Sequence, residues 1–251
     1  MRLGIRMLLR RITKHVKEQN WFAVGIDFVI VVIGVFIGIQ VANWNDGRAE
    51  VAEGARYIEQ LSDEYAVIEE TIEDQVDSYV EFSNAAQEAL RLLTADIAPT
   101  SSELTPLIDV LMGGRIPPGE PAALRELISA GKLDLINQKE LRTNLMLAQN
   151  DAEVMAQAFQ LLRTDLLGAN HALVKYMNFD LSADLTDPQY FIGSTALTSV
   201  DVEGLRNDPD AIVAVKTYLN SQLNMLGIQR LYLERIRSMN EALAAASAEQ
   251  Q

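Results

Sequence analysis

The chain has 251 residues, 49% of them hydrophobic and few of them aromatic, with 35 acidic against 21 basic side chains and no cysteine. The missing cysteines exclude a disulfide framework, a thiolate metal site and a cysteine nucleophile. The first 20 residues hold six bases against Glu18, a balance of +5, so the net charge of −14 leaves −19 for the remainder, which repels nucleic acid.

The N-terminal arm, residues 1–20, is patterned. Ile5, Leu8, Leu9, Ile12 and Val16 recur at helical spacing, and Arg2, Arg6, Arg10, Lys14 and Lys17 fall on the other side. With Arg11 these bases read as a cytoplasmic amphipathic helix attracted to anionic membrane lipids, or as a bare orientation signal. His15 reads as a surface residue.

Residues 21–44 follow as a transmembrane helix. From Phe22 to Ala42 the run FAVGIDFVIVVIGVFIGIQVA carries one charge over about 21 residues, enough to cross a hydrocarbon core of about 30 Å. Trp21 and Trp44 stand at its ends, where indoles favour the membrane–water interface. Bases before the span and an acidic excess after it orient the N-terminus to the cytoplasm and residues 45–251 to the periplasm of a bacterial inner membrane. The competing reading is a cleaved signal peptide; the long apolar run and the Asn-Trp-Asn-Asp that follows argue against it. Within the span, Gly34, Gly38 and Ala42 form a small-residue face for close helix approach, Asp27 lies nearly on it, and Gln40 offers a hydrogen bond to a neighbouring helix. A partner helix is expected there, from another membrane-protein subunit or from a second copy.

After the span, periodicity predicts an elongated antiparallel bundle of three long helices plus short ones, an all-α fold. The first runs from about Arg48 to Thr94, with Ile58, Leu61, Tyr65, Ile68, Ile72, Val76, Tyr79, Phe82, Ala86, Leu90 and Leu93 inward. Asn45-Asp46-Gly47 is a candidate break before it. Its many carboxylates, Glu59 to Glu81, lack the ligand order of a calcium loop and read as a solvated face or a surface for a basic partner.

TSSELTPLIDVLMGG predicts a short helix ended by Gly113-Gly114, and RIPPGEP a loop. Ala122 to Ala130 predicts another short helix capped by Gly131, and LDLI an extended link. Asn137 and Glu140 match a capping box. The helix it opens has a seam of Leu141, Leu145, Ala148, Ala152, Met155, Phe159, Leu162, Leu166, Ala169, Leu173 and Tyr176 in alternating steps of four and three, which reads as core. His171 lies off that seam without a second histidine at ligand spacing. Residues 178–208 read as irregular. Asp208-Pro209 opens the last long helix, to about Ala246, with Ile212, Val215, Leu219, Leu223, Leu226, Leu233 and Ile236 inward.

No nucleophile motif, phosphate loop or dinucleotide fingerprint is present. An enzyme, a metal site and a cofactor are therefore not expected. DFVIVVIGVFIGIQVANWND, residues 27–46, and LRELISAGKLDLINQKELRTNL, residues 124–145, resemble two stretches of a bacterial family of unknown function. That resemblance implies a single-pass membrane protein with an external helical domain and carries no activity with it; Asp27 stands where the family more often has Glu. Two functions stay open: a non-catalytic accessory or scaffolding protein, and a periplasmic ligand-sensing module that signals through a partner, with residues 113–121 and 178–208 closing a pocket at one end.

Overall fold

The computed structural model describes residues 21–180 and 197–249, with the side chains of Trp21 and Ala23 left aside. Among these residues the fold is all-α apart from one two-stranded sheet. The chain divides into two compact units, Met1–Glu53 and Gly54–Gln251.

Helix α1 (Trp21–Leu93) is uninterrupted, so Asn45-Asp46-Gly47 is no break. A lone glycine costs a helix only about 1 kcal/mol, which the apolar run before it and the packed heptads after it outweigh. In the first unit the described side chains from Phe22 to Trp44 are all exposed.

The second unit is built as four columns. The C-terminal part of α1 is the first. At its end Leu93 meets α2 (Ser101–Leu111), which starts on a capping box between Thr100 and Glu103. The chain then returns along α1, through an extended stretch beside Tyr79 and Gln75, to α3 (Ala122–Ser129), whose free N-terminal Ala123 N–H is taken by the Glu64 carboxylate at 3.1 Å. Gly131, at φ 65°, closes α3: the Lys132 N–H bonds to Leu127 O and the Gly131 N–H to Ile128 O. The expected extended link is a 3₁₀ turn, Leu133–Leu135, whose backbone Leu135 O presses so close to Gly54 that a Cβ there would stand 2.3 Å away.

Helix α4 (Lys139–Val174) forms the third column. Its N-cap is Gln138, one residue later than expected and without a side-chain cap, so the Asn137 capping box is not made; Arg142 folds back on the Ile136 and Asn137 carbonyls at 2.6 and 3.3 Å. Of the stretch 178–208, residues 181–196 lie outside the described residues; in the rest, β1 (Met177–Phe179) pairs antiparallel with β2 (Leu197–Val200), and α5 (Val202–Asn207) follows, where the pattern read as irregular. The fourth column is α6 (Pro209–Ala248), capped by Asp208 with Pro209 in its first turn. Glu69 and Glu73 of α1 pair with Arg237, and Asp151 of α4 with Arg235. With Leu93 near Leu205 at one end and Tyr57 near Leu243 at the other, α6 runs opposite to both α1 and α4.

Core side chains gather at the two ends of this unit, around Leu61, Leu124, Leu145 and Ile236, and around Ala89, Leu104, Leu173 and Val215. Between them lies a smaller cluster of Tyr79, Phe82, Met225 and Leu226. There the second column is not helical.

Candidate functional site

Two features invite a functional reading, one in each unit. In the first, the expected packing face is laid out by helix geometry. At 100° per residue Asp27, Gly34, Gly38 and Ala42 fall within a narrow sector, whereas Gln40 projects roughly 160° from its centre, so the structure does not bring Gln40 to that face. Asp27, Gln40 and Ala42 are exposed, and nothing lies within 4 Å of the open sides of Gly34 and Gly38. At the far end the Arg48 guanidinium sits 5.1 Å over the Trp44 ring. Trp21 opens the helix. Arg6, Arg10, Arg11, Lys14 and Lys17 lie outside the described residues.

In the second unit, Met112 to Pro121 cannot continue the helical column: Gly113-Gly114 disfavours it, and Pro117, Pro118 and Pro121 each lack the N–H a helix needs. The stretch has no neighbouring turn to satisfy its backbone, so side chains of the flanking columns do this instead. Gln222 donates through its Nε2 to Leu111 O and Gly113 O, both at 2.9 Å. The Tyr79 hydroxyl donates to Arg115 O at 3.0 Å and receives the Arg115 N–H at 3.2 Å. Gln75 donates to Ile116 O at 2.8 Å and is itself held by Gln229 at 2.7 Å. Gly113 lies against the Phe82 ring, where a Cβ would come within 2.4 Å.

An extended strand fills less width than a helix, and a cleft of about 340 Å³ opens beside it. Its floor is Phe159, Leu162 and Leu166 of α4 with Met225 of α6. This corrects the seam: Met155, Ala169 and Leu173 are buried as their spacing predicts, but Phe159, Leu162 and Leu166 are only half-buried, since no helix stands opposite them. Arg115 and Arg163 also line the cleft, as do Asn170, Tyr218 and Ser221. Burial pushes the Tyr218 hydroxyl up to about 12, so it stays a neutral donor at ordinary pH. Residues 113–116 thus do border a pocket, in the middle of the bundle; of 178–208, no described residue lines it.

A second groove, about 390 Å³, runs between α4 and α6, with its charge matched internally by the Asp151–Arg235 pair. His171 is exposed and bonds Leu167 O at 2.8 Å through its Nδ1. The carboxylates of α1 do not converge: Glu64 caps α3, Glu69 and Glu73 hold Arg237, and Glu59, Asp63, Glu70, Asp74, Asp77 and Glu81 face solvent.

Leu147, Val154 and Leu161, one residue before alternate seam positions, form an apolar line on α4 that is 57%, 54% and 71% exposed. The periodicity that marked the seam holds this line too, since residues seven apart share a helix face.

These features define a class: a helical bundle together with, among the described residues, one helix long and apolar enough to cross a membrane. Comparison with protein-family models, curated proteins and solved structures finds no match for this chain.

Proposed function

We propose that this chain is a non-catalytic, single-pass inner-membrane accessory or scaffolding protein that packs on a membrane complex or on a second copy of itself. The observation that carries the reading is the continuous exposure of apolar side chains from Phe22 to Trp44 on one unbroken helix. In water such a surface costs about 25 cal/mol for each Å² left wet, so it calls for lipid or protein cover. The basic arm before it supports a cytoplasmic N-terminus, with lipid headgroups as its partners, and a periplasmic bundle. The open sides of Gly34 and Gly38 support close approach by another helix, and the exposed Leu147, Val154 and Leu161 line supports a second contact outside the membrane.

The test is a cross-linking scan in native membranes with single cysteines at 34, 38 and 42, joined to gentle solubilisation and purification. Discrete adducts at these positions and a co-purifying subunit or dimer are expected. A purely monomeric species without adducts overturns the reading, and an active cytoplasmic reporter at the C-terminus overturns its topology.

A further inference from the structure

We propose that the cleft at the break in the second column binds a small amphipathic carboxylate, its apolar body on Phe159, Leu162, Leu166 and Met225 and its anionic head taken by Arg115 and Arg163. This does not rest on the membrane reading; it assigns the bundle a ligand of its own.

Charge is the first observation. Outside the arm the chain carries −19, yet the described residues lining this cleft include two guanidinium groups and no carboxylate. Among the described residues neither arginine is paired with a carboxylate: the Arg115 guanidinium reaches Gly114 O and the Phe82 ring, and Arg163 has no ion pair there. Arg91, Arg125, Arg235 and Arg237 each hold an acidic partner, and Arg142 and Arg206 hold backbone carbonyls; what distinguishes Arg115 and Arg163 is that both line one cleft with no carboxylate on its described wall. A planar guanidinium matches a carboxylate with two parallel hydrogen bonds.

Unmet hydrogen-bonding capacity is the second, independent observation. Tyr218 and Ser221 are each only 3% exposed and line the cleft, and neither hydroxyl bonds to a described residue. Asn170 Oδ1, on the facing helix, is buried without a partner. Buried polar groups are normally satisfied by protein or water, so the unpartnered Asn170 Oδ1, with the hydroxyl side chains of Tyr218 and Ser221 beside it on the cleft lining, marks a place where something polar belongs.

The third observation is shape. The cleft falls in the size range of small-molecule sites and combines an apolar floor with few polar groups. It is also built: Gln75, Gln222, Gln229 and Tyr79 hold the strand that forms its wall. The apolar floor favours an organic acid over inorganic phosphate, which would leave those side chains facing water.

Methionines report on it directly. Met112 and Met225 line the cleft, whereas Met146 and Met239 do not. In full-length protein carrying ¹³C-methyl methionine in lipid nanodiscs, 2-naphthoate is expected to shift the Met112 and Met225 signals saturably and to leave Met146 and Met239 in place. The charge-reversed probe 2-naphthylmethylamine is expected to shift neither. Arg163→Gln, on an exposed position, is expected to weaken the apparent affinity roughly ten- to hundredfold, as loss of a charge-assisted hydrogen bond should. Arg115→Gln tests the other side of the head group. Unmoved Met146 and Met239 signals verify the fold of each variant. No saturable shift at millimolar 2-naphthoate, an equal response to the amine, or unchanged affinity in both arginine variants overturns the proposal.

Discussion

Asp208 shows how much one side chain can anchor. Its carboxylate receives the Lys175 ammonium at 2.7 Å, the Tyr176 hydroxyl at 2.8 Å and the Asp210 N–H at 2.9 Å, tying the end of α4 to the start of α6. Those partners, the lysine foremost, hold the carboxyl down at about 2, against about 3.9 for a free aspartate. A depressed folded-state value means that the stabilisation is complete above the unfolded pKa and is lost as pH falls through the folded one. The thermal midpoint of the full chain should therefore fall between about pH 4 and pH 2, and Asp208→Asn should flatten that limb while lowering the midpoint at pH 7. Melts by circular dichroism across this range check it; an unchanged acid limb in the variant would place the dependence on other carboxyls. The cap itself was legible, because Asp-Pro announces a helix start locally. Lys175 and Tyr176 were not, since they lie across a connection whose path no local pattern specifies. Asn137 erred in the opposite direction: the box motif was present, but the helix starts one residue later, at an N-cap of Gln138.

Among the elements, long periodic helices were readable because a repeated apolar step leaves one way to bury a face. The second column was harder. Its pieces, Ser101–Leu111 and Ala122–Ser129, were each anticipated from caps and breakers, yet nothing local says that they stack into one return path. Its fasteners are buried glutamines, which composition assigns to the surface. On α6, Gln222 and Gln229 turn inward while Leu223, expected inside, is 51% exposed. The cleft was therefore legible only in part: its loop was predicted, but the meeting of Arg115 with Arg163 depends on that stacking. The glutamine chain makes a separable prediction. Gln229→Leu leaves the Gln75 amide short of a partner and should cost about 1–3 kcal/mol. Gln75→Leu should cost at least as much, since it also releases Ile116 O. The double variant should lose less than the sum of the two, with a coupling of about 0.5–3 kcal/mol. Urea unfolding of the three variants measures this, and strict additivity would show that the pair does not act as a unit.

For the molecule as a whole, the long apolar N-terminal helix was the most readable feature, because length and apolarity are all that crossing a bilayer demands. What the bundle presents outward was less so. Exposed leucines are ordinary when scattered. Leu147, Val154 and Leu161 are instead aligned seven residues apart, in the manner of a second seam awaiting a partner, and the same repeat hides them within the pattern of the first. Replacing all three with serine separates the two roles. As surface positions each should change stability by no more than about 0.5 kcal/mol, so the melting point should stay close to that of the parent. If they meet a partner, the variant should lose co-purifying protein or sediment as a smaller species in mild detergent while still fractionating with membranes. A large fall in melting point would return these residues to the core. Unchanged association with normal stability would confine partner contact to the helix from Trp21 to Trp44, where the open sides of Gly34 and Gly38 would have to carry it alone.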